Sequence, residues 1–256
     1  MPGGRRSFVA GAAVGLAGLV SATDAVASGT NDERPRSLVR DGDLILFIGD
    51  SVTDSMRNRA RAHLVNDHPG LGFGFACLAA TQLLLDHPGA GLRVFNRGLS
   101  GDRVPDLAAR WQQDCLQLRP DLLTIMVGIN DFQQRSWKGR QEGAHTYERD
   151  YRQLLARTRD RLPDSRLVLC EPFALPGFGR TDLSLPELAA YGAVVRRLAA
   201  EFDARFVPSQ AVIGGALRVA PARHWLLDGV HPTAFGASLL AHAWLRTADP
   251  AGAPRG

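Results

Sequence analysis

Ile45-Leu46-Phe47-Ile48-Gly49-Asp50-Ser51-Val52-Thr53-Asp54 is an apolar run that ends abruptly at a Gly-Asp-Ser turn. The nearly unbroken apolar stretch Leu44 to Ile48 predicts a strand covered on both faces. Gly49 lets the chain turn sharply, and Val52 to Arg61 predicts a helix whose free N–H groups would face Ser51. A hydroxyl is thereby set at the carboxyl end of a strand, where open α/β sheets bind ligands.

Short apolar runs alternate with longer helical patterns outward from that stretch. Strands are expected at Leu44 to Ile48, Leu92 to Asn96, Leu122 to Val127, Leu167 to Leu169 and Arg205 to Val207. Helices are expected at Phe73 to Leu85, Val104 to Leu118, Tyr147 to Arg161, Pro186 to Phe202 and Thr233 to Leu245. In the second helix Val104, Leu107, Ala108, Trp111, Cys115 and Leu118 recur at helical spacing, with Ser100 or Asp102 as its cap. This alternation predicts an α/β fold with a parallel sheet and helices on both faces. Ser51, Gly98 and Gly128-Ile129-Asn130-Asp131 each follow directly on a strand, so three polar turns would share one rim.

The chain has 256 residues, 45% hydrophobic and 22% charged, with a formal charge of +4. One domain is expected. The arginines are dispersed among acids, without a basic block or interleaved aromatics, which argues against a nucleic-acid surface. Arg5-Arg6-Ser7-Phe8-Val9, an apolar run to Val20 and the small residues Ala25-Val26-Ala27 have the pattern of a bacterial twin-arginine export signal. The expected organisation is a signal peptide over 1–27, a linker over 28–42, a catalytic domain over 43–248 and a flexible tail over 249–256. The product would be exported, periplasmic or extracellular, with no stable membrane span after cleavage. A retained membrane anchor is the alternative, although Thr23 and Asp24 interrupt the apolar run. Cys77, Cys115 and Cys170 form no CxxC, and Cys77 and Cys170 read as small core residues; one disulfide stays open.

A serine hydroxyl is a weak nucleophile that needs a base. Asp228-Gly229-Val230-His231-Pro232 supplies one in a loop ahead of the last helix. Such a loop can fold so that Asp228 takes one imidazole nitrogen while the other faces Ser51. The bland readings make Ser51 a capping serine, His231 a capping or surface histidine and Asp228 a turn carboxylate. A His-Asp pair is too few ligands for a metal, and no cofactor is implied. Acyl transfer also needs oxyanion donors. Asn130 offers a side-chain N–H, and Gly98 and Ser51 offer backbone N–H groups. Individually, Asn130 reads as a turn residue and Gly98 as a bend.

With these residues in view the chain resembles the SGNH hydrolases, or GDSL esterase/lipase family. Four blocks carry the likeness: Gly49-Asp50-Ser51, Gly98 within Asn96-Arg97-Gly98-Leu99-Ser100-Gly101, Gly128-Ile129-Asn130-Asp131 and Asp228-Gly229-Val230-His231. The resemblance implies Ser51 as nucleophile, His231 as base and Asp228 as its orienter. It implies an oxyanion hole of Gly98, Asn130 and the Ser51 amide. The implied fold is a flavodoxin-like three-layer α/β/α sandwich around a five-stranded parallel sheet.

Gly70-Leu71-Gly72-Phe73-Gly74-Phe75, Arg93 to Gly101, Asp106-Leu107-Ala108-Ala109-Arg110-Trp111 and Arg119 to Asp131 are similar to SGNH-type bacterial acetylxylan esterases. That likeness implies hydrolysis of O-acetyl groups on xylan or xylo-oligosaccharides and is compatible with a homo-oligomer. The chain departs from those enzymes at Leu227, where they carry tryptophan before the catalytic aspartate; Trp225 lies two positions earlier. Trp137, Phe132, Phe178 and Trp225 are candidates to stack on sugar rings, with core packing or subunit contact as their other reading. Arg57 and Arg97 flank the expected site and can meet a polar substrate or form ordinary salt bridges. The competing functions are a lysophospholipase or general short-chain esterase, and a non-catalytic carbohydrate-binding protein.

Overall fold

The computed structural model describes residues 36–134, 143–179 and 184–250. The chain begins with β1 (Leu44–Gly49), α1 (Ser51–Asp54), α2 (His68–Leu71), α3 (Phe75–Asp86) and β2 (Arg93–Asn96). It continues through α4 (Val104–Trp111), β3 (Leu122–Met126), α5 (Ile129–Gln134), α6 (Ala144–Arg161) and β4 (Arg166–Cys170). The last elements are α7 (Leu185–Glu201), β5 (Ala204–Val207), α8 (Ser209–Gly215), α9 (Ala222–Trp225) and α10 (Ala234–Ala248).

All five strands pair in parallel in the order β2-β1-β3-β4-β5. This is the flavodoxin-like order, whose direction of winding reverses between β1 and β3 and opens a crevice at their carboxyl ends. The first crossover therefore puts α3 on one face, where it packs with α10, and the later ones put α4, α6 and α7 on the other. The result is the expected three-layer α/β/α sandwich. β1 and β3 are buried throughout, which is why they read as nearly continuous apolar runs.

Two buried indoles fasten the layers, one joining a helix to the sheet and the other joining two helices of the opposite layer. Phe47 of β1 and Thr124 of β3 are cross-strand neighbours, and Trp244 of α10 meets both. Its ring lies 4.9 Å from Phe47, and its Nε1–H donates to Thr124 Oγ1 at 2.9 Å. Within the other layer Trp111 of α4 donates through Nε1–H to Thr158 of α6 at 3.1 Å. Each aromatic body fills the core while its polar edge finds an acceptor.

Two helical expectations change. The helix foreseen over Val52 to Arg61 stops after one turn at Asp54, because Ser55 and Met56 turn left-handed with φ of 41° and 57°. The pattern read as one helix to Leu118 is α4 followed by a wider π turn over Gln112–Leu116, in which Gln117 N–H reaches back to the Gln112 carbonyl.

The domain edges also differ. Residues 36–42 of the foreseen linker are tied down: Leu38 N–H donates to the Ala248 carbonyl, and Leu38 and Val39 pack on the core. Asp249, expected in the tail, is buried and bonds His87 Nε2 at 2.7 Å, fastening the ends of α3 and α10 together. The signal-peptide reading of 1–27, the rest of the linker and residues 251–256 of the tail lie outside the described residues. Among the described residues no helix is long and apolar enough to cross a membrane. Cys77, Cys115 and Cys170 are buried and unpaired, so the disulfide left open is not formed.

Candidate active site

β1 delivers Asp50 and Ser51 to the carboxyl rim, and Asp50 shapes the turn. Its Oδ1 accepts the Val52 N–H at 3.0 Å, and its carbonyl accepts from Thr53 and Asp54. Asp50 is thus the N-cap of α1, and Ser51 is the first helical residue, partly exposed. First-turn N–H groups have no intrahelical acceptor, so the Ser51 amide faces outward from the helix end. Burial raises the Asp50 carboxyl to about pH 7, and the nearby carboxylates Asp131 and Asp102 add to the rise.

The other half of the site is a short hairpin between α9 and α10. Leu226 and Pro232 form an antiparallel bridge, and Leu227 N–H donates to the His231 carbonyl at 2.8 Å. Within the turn, Asp228 Oδ1 accepts the N–H groups of Val230 at 3.0 Å and His231 at 2.9 Å. That leaves Oδ2 for His231 Nδ1 at 2.7 Å. Burial would raise the Asp228 carboxyl, but the bonds from His231 and Val230 outweigh it and hold it below the ordinary carboxylate range. An ionised Asp228 only accepts, so Nδ1 carries the imidazole proton and Nε2 presents its lone pair. Nε2 lies 2.8 Å from Ser51 Oγ. The structure therefore joins Ser51, His231 and Asp228 in one hydrogen-bonded line.

The oxyanion donors need a correction. Asn130, at the start of α5, gives one Nδ2–H to the Asp102 carbonyl at 3.0 Å and keeps another. Gly98 is different: its N–H donates to Asn96 Oδ1 at 2.7 Å. The Asn96 amide is fixed in that sense because its Nδ2 serves the carbonyls of Thr53 and Leu71, both at 2.7 Å. The Gly98 N–H is thus committed, and the need for glycine there is steric. A Cβ would lie 2.3 Å from the Asp54 nitrogen and 2.6 Å from the Thr53 carbonyl carbon.

The free donor on the same turn is Gly101, which the sequence reading passed over. Its N–H has no acceptor among the described residues, and its φ of +90° lies in the region that favours glycine. It directly precedes Asp102, whose carbonyl holds Asn130. A missed signal was Ser100-Gly101-Asp102, a tight-turn tripeptide immediately before α4.

The sugar-facing aromatics resolve mostly as structure. Phe132 is fully buried against Tyr191, and Trp225 is buried with its Nε1–H on the Ala220 carbonyl. Phe178 packs on the core beneath the Arg223 guanidinium. Trp137 lies outside the described residues. Exposed apolar groups here are instead Leu227 on the hairpin, and Phe235 of α10, stacked on His224 of α9 with centroids 4.5 Å apart. Arg57 is buried on Gly98, and the buried part of Arg97 includes its Nε. Among the described residues no group of three or more His, Cys, Asp or Glu side chains is placed to hold a metal ion.

The chain is similar in sequence and fold to known proteins. Residues 47–239 match the GDSL-like Lipase/Acylhydrolase family. An acetylxylan esterase from Geobacillus stearothermophilus is 34% identical over 209 residues, which cover 80% of this chain and 93% of that protein. The crystal structure of Axe2, an acetylxylan esterase from Geobacillus stearothermophilus, superposes with a TM-score of 0.73 at 30% identity, over 85% of this chain and 99% of the other. A GDSL-like lipase structure from Parabacteroides merdae gives 0.80 at 38% identity, over 84% and 99%. Catalytic mutants of Axe2 replace an aspartate and a histidine three positions apart, the spacing of Asp228 and His231 here.

Proposed function

We propose, from the premise that the chain belongs to the GDSL-like Lipase/Acylhydrolase family and is a carboxylic ester hydrolase of that type, that it removes O-acetyl groups from xylan or xylo-oligosaccharides. One observation carries the mechanism: the unbroken line from Ser51 Oγ through His231 to Asp228, with contacts of 2.8 and 2.7 Å. The identity to the acetylxylan esterase supports the substrate. The openness of the site supports it as well. His231 and Asp228 keep 43% and 46% of their side-chain surface, so an ester projecting from a sugar chain can reach the serine without being engulfed.

In this mechanism Ser51 Oγ attacks the acetyl carbonyl while His231 Nε2 takes its proton. The tetrahedral oxyanion is held by the Ser51 N–H, the remaining Asn130 Nδ2–H and the Gly101 N–H. His231 then protonates the departing sugar oxygen, leaving acetyl-Ser51. Water activated by the same nitrogen attacks that ester, and acetate leaves. Asp228 holds the imidazole tautomer and stabilises the imidazolium in both halves. The twin-arginine pattern of the first 27 residues supports an exported enzyme acting on polysaccharide outside the cytoplasm.

The test is a substrate panel with Ser51→Ala as control. Acetylated xylo-oligosaccharides, lysophospholipids and p-nitrophenyl esters of increasing chain length are compared by kcat/KM. Acetate release from the oligosaccharides is expected to lead. A preference for long acyl chains would overturn the acetyl reading, and binding without turnover would overturn the catalytic one.

A further inference from the structure

We propose that Asp54, assisted by Arg57, is a positioning residue that couples the nucleophile's helix to the oxyanion turn. The proposal rests on the acyl-transfer reading above. Ser51 and Asp54 are the first and last residues of α1, so they share one rigid turn. Asp54 Oδ2 reaches across to residues 97–102 and accepts both the Ser100 N–H at 3.1 Å and the Ser100 hydroxyl at 2.7 Å. Ser100 directly precedes Gly101. Arg57 holds the same turn two residues earlier, donating from Nε to the Gly98 carbonyl at 2.7 Å.

The α1 side of these contacts is buried, while Ser100 lies at the exposed edge of the turn. The Asp54 and Arg57 side chains are 4% and 6% exposed, and their own separation is 3.6 Å. Arg59 completes the charge balance from the solvent side at 2.7 Å from Asp54. A buried carboxylate with three charge-assisted or hydroxyl donors is a stiff fixture. Arg110 of α4 grips the same turn through Asp102 and the Arg97 carbonyl. The peptide that carries the Gly101 N–H therefore hangs between two clamps, and the α1 clamp moves with Ser51. Nucleophile and anion donor are held at a fixed separation, the condition for stabilising charge that exists only in the transition state.

The experiment measures acetyl-ester kinetics for wild type, Asp54→Asn and Ser100→Ala, normalised to serine sites titrated with a reactive phosphonate. Titration removes any loss that comes from misfolded protein. Misplacing a donor by about an ångström can cost on the order of 100-fold. Asp54→Asn is therefore expected to lower kcat per titrated site about 10- to 100-fold with KM within about twofold, and Ser100→Ala to shift kcat the same way by about three- to tenfold. Should Asp54→Asn fail to fold, Ser100→Ala decides. A kcat per titrated site within about twofold of wild type, or a rise confined to KM, overturns the proposal. Wild type that neither turns over esters nor reacts with the phosphonate overturns the acyl-transfer reading and this inference with it.

Discussion

Ser51 Oγ and His231 Nε2 lie 2.8 Å apart although 180 positions separate them in the chain. The contact needs both the whole sheet and the docking of α10 on α3, so the nucleophile is activated only in the completed fold. Its weak point is Asp228. One carboxylate oxygen caps the hairpin by accepting two backbone N–H groups, and the other faces His231 Nδ1. In Asp228→Asn the capping position keeps the amide oxygen, so the NH2 turns to the imidazole. Nδ1 must then accept, Nε2 carries the proton, and the base is blocked. The expected loss is on the order of 10⁴-fold in kcat with little change in folding stability. Steady-state kinetics beside thermal unfolding checks it; activity within tenfold of wild type would contradict the tautomer argument.

The rim separates a chemical donor from a steric requirement. Asn130→Ala removes an anion donor and is expected to cost about 3 kcal/mol in the transition state. Gly98→Ala instead forces a methyl to within 2.3 Å of the Asp54 nitrogen, so it is expected to lower Tm and the fraction of titratable serine. Comparing kcat per titrated site with Tm for the two variants distinguishes them. Unchanged kcat/KM in folded Asn130→Ala would remove Asn130 from the oxyanion hole.

The residues that announce the fold are those whose environment is uniform along a strand. Leu44 to Ile48 and Leu122 to Met126 are buried throughout, so composition alone marks them as central strands. Ser51, Asp228 and His231 were legible because their chemistry is local: a turn after a strand, and a three-residue spacing that lets a loop close on itself. The donor role was harder. Whether Gly98 or Gly101 offers a free N–H depends on which carbonyls surround Asn96, and those come from Thr53 and Leu71, far away in sequence. The exposure of aromatics was not legible either. Phe132 and Trp225 sit near the site in sequence, yet both are buried, Phe132 against the distant Tyr191 and Trp225 with its N–H on the Ala220 carbonyl. The early end of α1 likewise depends on distant chain, since the Ser55 carbonyl accepts from Phe73.

Asp50 makes stability depend on pH. Its folded carboxyl titrates near pH 7, against an ordinary value of 3.8. Between those values the native state holds a proton that the unfolded state has released, so stability falls as pH rises through the window and levels off above it. Each unit of displacement is worth about 1.4 kcal/mol, so the expected loss between pH 5 and pH 7 is about 2 kcal/mol. Asp131, also lifted to about 7 by burial, adds to the same slope. Asp50→Asn keeps an oxygen for the Val52 N–H but carries no titrating proton. Urea unfolding across the range should show the variant gaining on wild type as pH rises; parallel curves would refute a protonated Asp50.

The indole that joins α10 to the sheet offers a test of the scaffold apart from the chemistry. Trp244 is fully buried, and the acceptor of its N–H, Thr124 Oγ1, is also buried. Thr124→Val keeps the side-chain shape while leaving that N–H unpaired, which is expected to cost about 1–3 kcal/mol. Trp244→Phe removes the donor but opens space beside Phe47. In the double variant the unpaired donor is gone, so the cost of Thr124→Val should largely vanish on the Trp244→Phe background. Thr124 sits within β3, before the turn that carries Asn130, so kcat per titrated serine should stay near wild type in Thr124→Val. Chemical denaturation of the four proteins measures the coupling. Additive losses would mean that the hydrogen bond contributes nothing to docking the helix that closes the fold behind His231.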